Sequence, residues 1–340
     1  MSDIRFDPIL EHWVTIAPNR NDRPVEFLPT ERVIKRLLCP FCAGNELETP
    51  STIESWNSEG KKITDDQEWL VRVVANKYPS FSVDNGNNGI PSEANQQAPG
   101  DGLYDSFSGH GIQELILPSS KHLQSLGELS DKETLVSHLA YRDRIASAAS
   151  QNLPHAMLFT NCRSSAGASL EHIHSQLIVP PILSGAVIQR TSRNTAYREK
   201  NDQHLVHALT GWELDQSDRV VEKSEHFSVV CPYASRFSFQ TWIVPDAKLP
   251  GFHLCPDDVI EELAMLTRKQ VMRLESILEL PAYNVLYHLP PFSETKTQPW
   301  YVEIFPRLTI AAGLELGTDI WVNPVSPEIA ARRLRQIDSK

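Results

Sequence analysis

The same order of secondary-structure segments occurs twice in this chain of 340 residues. In the first part, two segments with alternating apolar residues precede a helical pattern over residues 130–150, and two further strand-like segments follow it. The order strand, strand, helix, strand, strand recurs between residues 226 and 307. Strands grouped around one helix in this way are typical of an antiparallel α+β unit. We therefore expect an α+β protein of two related halves, residues 1–195 and 196–340, each an antiparallel sheet with covering helices.

Charge and composition narrow the class of protein further. A net charge of −11 argues against a broad basic surface for nucleic acid, because such binding depends on neutralising phosphates. Apolar residues at 41% fit an ordinary globular protein, and no apolar run reaches the length of a membrane span. The first residues also lack the organisation of a signal peptide. These features predict a cytoplasmic protein without a nucleic-acid or membrane partner.

Two histidines and a glutamine alternate with other residues in the segment LEHIHSQLIVPP. They are His172, His174 and Gln176. Successive side chains of a β-strand point to opposite faces, so in a strand these three would share one face. The second half has no such run on its closing strands. We expect the chemistry of the protein in the first half alone.

A C-x₂-C motif lies at Cys39 and Cys42, and three further cysteines are scattered along the chain. The spacing lets two thiolates reach one tetrahedral ion, but it also occurs in redox-active motifs and in pairs of ordinary buried cysteines. The turn-like Ala-Gly-Asn-Glu that follows favours zinc, because a redox motif is expected to open a helix. A zinc site needs two more ligands, for which His122 and His172 are the candidates. An odd number of cysteines also speaks against a disulfide framework.

Four segments in order carry a family resemblance: CPFCAGNE, GIQELILPSSKH, SAGASLEHIHSQLIVPP and GLELGTDIWVNP. They resemble the galactose-1-phosphate uridylyltransferase family, a nucleotidyltransferase branch of the histidine-triad superfamily that includes ADP-glucose phosphorylase. The resemblance extends from about residue 5 to residue 334. It implies a nucleotide sugar and a sugar 1-phosphate as substrates, and a homodimer.

The resemblance also implies roles for the motif residues. Its metal ligands would be Cys39, Cys42, His122 and His172, around one structural Zn²⁺. His174 would attack the α-phosphorus of the nucleotide sugar, and Gln176 would hold the phosphoryl oxygens. Further substrate contacts would come from Asn161 and Ser169 at the phosphates, Arg20, Arg23 and Asn76 near the nucleotide, and Glu315 at the sugar hydroxyls. Tyr301 and Glu303 stand where some family members place histidines for a second metal, so we do not expect a second metal site.

The implied mechanism agrees with the chemistry of these side chains. A neutral imidazole attacks through one ring nitrogen when the other carries the proton, so we expect a backbone carbonyl beside the second nitrogen of His174. The covalent nucleotidyl-histidine predicts ping-pong kinetics. Gln176 can donate a hydrogen bond to a phosphoryl oxygen but cannot act as a general acid, which favours transfer to an ionised phosphate over hydrolysis.

Three functions remain compatible with the sequence. The first is transfer of a nucleoside monophosphate to a hexose 1-phosphate, and the second is an ADP-glucose or dinucleoside polyphosphate phosphorylase that uses inorganic phosphate. The third is a zinc-stabilised module that binds a nucleotide without turnover. The motifs do not separate uridine from adenosine, nor one sugar from another.

Overall fold

The computed structural model describes residues 3–16, 38–63, 68–81 and 109–339. The strands in these ranges are β1 (Asp3–Asp7), β2 (His12–Ile16), β3 (Thr52–Trp56), β4 (Lys62–Ile63), β5 (Val71–Ala75), β6 (Ile112–Leu117), β7 (Met157–Cys162), β8 (Ser175–Val179), β9 (Val220–Lys223), β10 (Phe227–Val230), β11 (Thr241–Pro245), β12 (Tyr283–His288), β13 (Tyr301–Pro306) and β14 (Trp321–Asn323). The α-helices are α1 (Asp131–Ala149), α2 (Gly185–Asn201), α3 (Leu205–Gln216), α4 (Asp257–Ile277), α5 (Gly313–Thr318) and α6 (Pro327–Arg335).

Eleven strands form one sheet, in the order β4-β3-β5-β6-β8-β7-β12-β13-β11-β10-β9. Every neighbouring pair in this sheet is antiparallel. Helix α1 packs on β5, β6 and β8, and α4 packs on β11 and β13. One large apolar cluster fills the space between these two helices and the sheet. The structure therefore confirms an α+β fold with an antiparallel sheet and covering helices.

The strand order is symmetric about the pair β7–β12. Moving outward from this pair, β7, β8, β6, β5 and β3 on one side correspond to β12, β13, β11, β10 and β9 on the other. The two strands pair over five residues of each strand, from Tyr283 with Cys162 to Tyr287 with Leu158. The division into halves stays a prediction, and residue 195, its expected boundary, lies inside α2.

Helix α1 begins at a cap that the sequence encodes. The Ser130 side chain accepts a hydrogen bond from the Glu133 N–H, and the Glu133 carboxylate accepts one from the Ser130 N–H. This reciprocal capping box satisfies two backbone donors at the start of the helix. Val136 and Ala140, one turn apart, are buried in the apolar cluster between the helix and the sheet. The helix predicted over residues 130–150 is confirmed.

A second, three-stranded sheet brings the two ends of the described chain together. β1 and β2 form an antiparallel hairpin, and β14 pairs in parallel with β2. Arg5 of β1 also forms an ion pair with Glu328 of α6, with 2.9 Å between Nη1 and Oε1. Within the described residues, no helix is both long and apolar enough to span a membrane.

The predicted strand over residues 170–181 needs a correction. β8 begins only at Ser175, so His172 and His174 lie in the segment that leads into the strand, and Gln176 lies within it. The backbone of this lead is held by another loop, because the Ile173 N–H donates a hydrogen bond to the Leu123 carbonyl at 2.7 Å. The histidines are therefore fixed by loop contacts as well as by the sheet ladder.

Candidate active site and metal centre

Four potential metal ligands from three loops lie together beside the start of β8. The set is Cys39, Cys42, His122 and His172, whose ligand atoms all lie within 4.8 Å of one another. Nδ1 of His172 lies 3.6 Å from Sγ of both cysteines, and Nδ1 of His122 lies 3.5 Å from Sγ of Cys42. The residues predicted as zinc ligands are therefore brought together by the fold.

The separations within this cluster fit a tetrahedral ion. With bonds of about 2.3 Å to sulfur and 2.0–2.1 Å to nitrogen, tetrahedral zinc places a sulfur and a nitrogen ligand about 3.5 Å apart. The sulfur–nitrogen distances of 3.5 to 3.6 Å match this value. Two thiols and two imidazoles are also a common ligand set of structural zinc sites. The side chains present can thus hold one metal ion.

His172 is oriented as metal-binding histidines usually are. Its Nε2 lies 3.1 Å from the Ser119 carbonyl oxygen, so this nitrogen carries the proton and Nδ1 presents its lone pair to the thiols. Burial lowers the pKa of His172 to about 4, which keeps the ring neutral. The ring is fully buried, whereas His122 is exposed and its Nε2 lies 4.0 Å from the carboxylate of Glu171.

His174 has its two ring nitrogens in different environments. Nδ1 lies 2.9 Å from the backbone carbonyl oxygen of His172, and this contact fixes the proton on Nδ1. No described residue forms a hydrogen bond with Nε2. Burial lowers the pKa of His174, so the imidazole is neutral near neutral pH. The backbone carbonyl expected beside the second ring nitrogen of His174 is therefore that of His172, which is also a candidate metal ligand.

Phe41 connects the cysteine loop to the nucleophile candidate. It lies between Cys39 and Cys42 in the sequence and is buried. Its ring makes an edge-on contact with His174, with ring centroids 5.2 Å apart, and another with His172 at 5.9 Å. The loop that supplies the two thiols thus also packs against His174.

Gln176 and Asn161 lie on the same face of the sheet, on neighbouring strands. Gln176 of β8 is directly opposite Phe159 of β7, and Asn161 is two residues further along β7, so its side chain points to the same side. Both side chains are half-buried, and no described residue bonds to the Gln176 amide. Ser169 is exposed in the loop between β7 and β8.

The backbone after β7 folds tightly over Asn161. Arg163 and Gly167 both have positive φ angles, +69° and +94°, on either side of a single 3₁₀ turn over Ser164–Ala166. A Cβ atom added at Gly167 would lie only 3.4 Å from the Asn161 Nδ2, so glycine serves both the backbone angle and the close approach here.

The other predicted substrate residues make only local contacts within the described chain or lie outside it. Asn76 follows β5, and its side-chain oxygen accepts a hydrogen bond from the Tyr78 N–H at 2.9 Å. Glu315 lies in α5, and its carboxylate accepts a hydrogen bond from the Ala312 N–H at 2.9 Å. No contact between described residues joins either side chain to His174. Arg20 and Arg23 lie outside the described residues.

Several residues of the site were not anticipated from the sequence. Phe41 could have been suspected, because a large apolar residue between two ligands is positioned to pack over the centre. Ser119 contributes a carbonyl oxygen, which every residue has, so its side chain gives no signal. Behind β8, the Ser175 hydroxyl lies 2.7 Å from that of Tyr141 on α1 and 2.6 Å from that of Thr160 on β7. This buried hydroxyl cluster ties β8 to the helix on the opposite face of the sheet.

Known proteins resemble this chain over almost its whole length. ADP-glucose phosphorylase of Arabidopsis thaliana is 28% identical over 344 residues, which cover 98% of this chain and 93% of that protein. Galactose-1-phosphate uridylyltransferase of Thermotoga maritima is 26% identical over 352 residues, which cover 99% of each chain. No protein-family model matches the sequence.

Solved structures give the same result. The crystal structure of the Arabidopsis thaliana ADP-glucose phosphorylase with bound ADP-glucose superposes with a TM-score of 0.82 at 26% identity, over 99% of this chain and 98% of that one. A uridylyltransferase structure superposes with a TM-score of 0.73 at 19% identity, over 99% and 98% of the two chains, and so supports the fold alone.

The fold and these relatives define the class of the protein, which is a nucleotidyltransferase enzyme. Within that class, the comparisons confirm the resemblance to the galactose-1-phosphate uridylyltransferase family in the wide sense that includes ADP-glucose phosphorylase.

Proposed function

We propose that the protein transfers a nucleoside monophosphate from a nucleotide sugar to a hexose 1-phosphate through a covalent bond to His174. One observation carries the proposal. His174 lies beside the cluster of thiols and imidazoles, with its Nδ1 proton held by the His172 carbonyl at 2.9 Å, while no described residue bonds to Nε2. An imidazole fixed in this tautomer has its nucleophilic lone pair free.

The first displacement follows from this geometry. Nε2 of His174 forms a bond to the α-phosphorus, the bond from that phosphorus to the bridging oxygen breaks, and the sugar 1-phosphate leaves with the electron pair. The proton stays on Nδ1, where the His172 carbonyl stabilises the positive charge that develops on the ring. Gln176 lies in β8, two residues after His174, and its amide donates a hydrogen bond to the phosphoryl oxygens.

The second displacement reverses the first with another phosphate. An oxygen of the acceptor attacks the phosphorus, and the bond to Nε2 breaks and returns the lone pair to His174. The acceptor is already ionised, so it needs no general base, and Gln176 supplies none. The side chains at the site therefore suit transfer between phosphates.

We propose that the metal in the four-residue cluster is zinc. When bound, zinc would act as a closed tetrahedral clamp that joins the cysteine loop to the lead into β8. Because His172 is both a ligand candidate and the residue whose carbonyl orients His174, this clamp would hold the nucleophile in its tautomer and position.

A phosphorylase is the second candidate. It would release the sugar 1-phosphate from ADP-glucose and pass the nucleotidyl group to inorganic phosphate. The similarity to ADP-glucose phosphorylase favours it, with 28% identity over 98% of this chain and a TM-score of 0.82 for the structure that contains ADP-glucose. Both candidates share the step at His174 and differ in the base and the acceptor.

The setting of the enzyme is part of the proposal. We place it in the cytoplasm as a homodimer that acts on nucleotide sugars and sugar phosphates, without a nucleic-acid or membrane partner. The net charge of −11 supports the absence of a nucleic-acid partner. Sedimentation of the purified protein tests the dimer.

Covalent labelling tests the chemistry. The protein is incubated separately with UDP-glucose, UDP-galactose and ADP-glucose that carry ³²P at the α-phosphate. We expect acid-labile, alkali-stable label in the wild type and none in His174→Ala. His226→Gln is the matched control, because His226 lies in the turn between β9 and β10 and pairs with Glu262. Absence of label from all three donors, or equal label in His174→Ala, would show that the proposal is wrong.

The acceptor is identified in a second step. The labelled protein is freed of donor and chased with glucose 1-phosphate, galactose 1-phosphate or inorganic phosphate. Release of a labelled nucleotide sugar by a hexose 1-phosphate supports the transferase, whereas release of labelled nucleoside diphosphate by inorganic phosphate supports the phosphorylase.

A further inference from the structure

Asn284 of β12 is a buried asparagine that reaches the predicted phosphate site from the other side of the β7–β12 pair. It is directly opposite Asn161 in the strand register and is 7% exposed. Its Nδ2 donates two hydrogen bonds, one to the Asn161 side-chain oxygen at 2.8 Å and one to the Ala166 carbonyl at 2.9 Å. Neither the histidine run nor the cysteine motif indicates this residue.

The Ala166 carbonyl determines which way the Asn284 amide points. If the amide were turned by 180°, its oxygen would face the Ala166 oxygen, and two acceptors would meet without a proton between them. Asn284 therefore presents its NH₂ group to both neighbours. Its own Oδ1 is buried and has no hydrogen-bond partner among the described residues, a cost that the two donated bonds offset.

The orientation of Asn284 in turn determines that of Asn161. Asn161 must present its oxygen to Asn284, so its NH₂ group points toward the loop at Gly167. Its contact with the Gly167 carbonyl is long, at 3.5 Å, which leaves this donor weakly used. Asn161 is one of the two residues expected at the phosphates, and its weakly used amide donor is suited to a phosphate oxygen.

We propose that Asn284 is a positioning residue, which fixes the amide of Asn161 and the turn at Ala166 so that Asn161 donates a hydrogen bond to a phosphate of the nucleotide. This inference rests on the proposed function. Asn284 does not touch the nucleotide and acts through Asn161. A strand of the predicted second half, β12, thereby orients a hydrogen-bond donor on β7 of the predicted first half.

Two variants and a double-mutant cycle test the inference. Asn284→Asp keeps the shape but removes both donors, and Asn284→Ser is the second variant should the buried carboxylate prevent folding. We expect either change to lower the rate of His174 labelling by roughly 10- to 100-fold, as for loss of a hydrogen bond to a charged group. In the Asn161→Ala background, the same changes should have almost no further effect, because the phosphate contact through which Asn284 acts is then already absent.

Titration with ADP and UDP supplies a readout that does not depend on turnover. We expect the affinity for the better of the two ligands to fall in the Asn284 variants and not to fall further in the Asn161→Ala background. Asn194→Ser is the matched control, since Asn194 is a buried asparagine bonded to the Arg190 carbonyl and the Val206 N–H. It should lower the melting temperature without changing labelling or affinity.

The outcomes separate the two proposals. Label in the wild type, with additive effects of Asn284 and Asn161 or with unchanged rates in the Asn284 variants, would overturn the role of Asn284 and leave the proposed function intact. Absence of label in the wild type would reject the proposed function, and the ADP and UDP titrations would still decide on Asn284. Failure of the wild type to bind either nucleotide would overturn both.

Discussion

The backbone of His172 does as much for the site as its side chain. Its ring faces the two thiols, while its carbonyl oxygen lies 2.9 Å from Nδ1 of His174. Spacing by two residues makes both contacts possible from one short segment. A substitution at His172 would thus disturb both the cluster of potential metal ligands and the orientation of His174, which makes it a poor probe of either one alone.

Gln176 gives a prediction at the residue scale. We expect Gln176→Ala to lower the rate of His174 labelling by roughly 10²- to 10³-fold, the effect of removing one donor to a developing oxyanion. Gln176→Glu should be at least as slow, because a carboxylate repels the phosphoryl oxygens. Rapid-quench labelling with the donor that reacts best measures both rates.

Gln189→Ala is the control for this prediction, because Gln189 lies on α2 and contacts Glu11 at the surface. Labelling of Gln176→Glu at the wild-type rate would show that Gln176 does not donate to the phosphate.

At the residue scale, the sequence predicted those site residues whose side chains have a distinctive chemistry, such as thiols and imidazoles. The four ligand candidates come together as expected, whereas the alternation of the histidine run predicted a strand that begins only at Ser175. The sequence did not point to Asn284 or the Ser119 carbonyl. Asn284 acts through strand pairing between residues 123 positions apart, and a carbonyl carries no residue-specific signal.

At the element scale, Glu303 of β13 forms an ion pair with Arg236, in the loop before β11, and a hydrogen bond with His288 of β12. Burial lowers the pKa of His288, so this ring is neutral near pH 7. Glu303 Oε2 lies 2.6 Å from His288 Nε2, and Oε1 lies 3.4 Å from Arg236 Nη2. Burial alone would raise the pKa of Glu303, but Arg236 and His288 outweigh it and hold the pKa at about 2. The carboxylate is therefore charged in the folded protein at all but very low pH.

This ion pair predicts a pH dependence of stability. The folded pKa of Glu303 lies below its ordinary value of 4.5, so its contribution is fully present above that value and is lost as the pH falls toward 2. Glu303→Gln should lower the free energy of unfolding at pH 7 by roughly 1–3 kcal/mol, because the half-buried guanidinium of Arg236 loses its partner charge and His288 loses its acceptor. It should also flatten the loss of stability between pH 4.5 and pH 2.

Urea denaturation across this pH range measures the effect. Glu59→Gln is the control, since Glu59 pairs with Lys61 at the surface. A Glu303→Gln variant with the stability and acid sensitivity of the wild type would contradict the prediction.

Elements with a strong local pattern were predictable, and those without one were missed. α1 has a capping box, and α6 has Ser326 as its N-terminal cap with Pro327 in its first turn. α2 was not predicted. Of its buried residues, Val187, Arg190 and Asn194, only Val187 is apolar, so few buried apolar residues mark this segment in the sequence.

At the scale of the whole molecule, the cluster of four potential metal ligands joins three distant parts of the chain. We expect purified protein to contain about one zinc per chain, and Cys39→Ser or prolonged chelation to remove it. The melting temperature should then fall by roughly 5–10 °C, because binding energy at a structural site adds to folding energy. Labelling of His174 should fall in parallel.

Elemental analysis, calorimetry and labelling check this on the same samples. Cys255→Ser is the matched control, since Cys255 is buried away from the cluster and contacts backbone carbonyls. A Cys39→Ser variant that retains its metal and its melting temperature would contradict the structural role.

The sequence also predicted the fold class, but not how the strands assemble. Repetition of element order indicated antiparallel sheets with helical cover, as found. It gave no information on the edge-to-edge joining at β7–β12, because pairing between segments more than a hundred residues apart leaves no local pattern. The pairing of β14 with β2 was hidden for the same reason.

The pairing of β7 with β12 limits where this protein could be divided into separately expressed fragments. β7 carries Asn161 on its surface, yet it is an interior strand only because β12 covers its far edge. A fragment ending near residue 195 would cut α2 and leave the backbone N–H and C=O groups along that edge open to any passing strand. Expressed alone, the half with the histidines should self-associate into insoluble material, so catalysis here belongs to the undivided polypeptide.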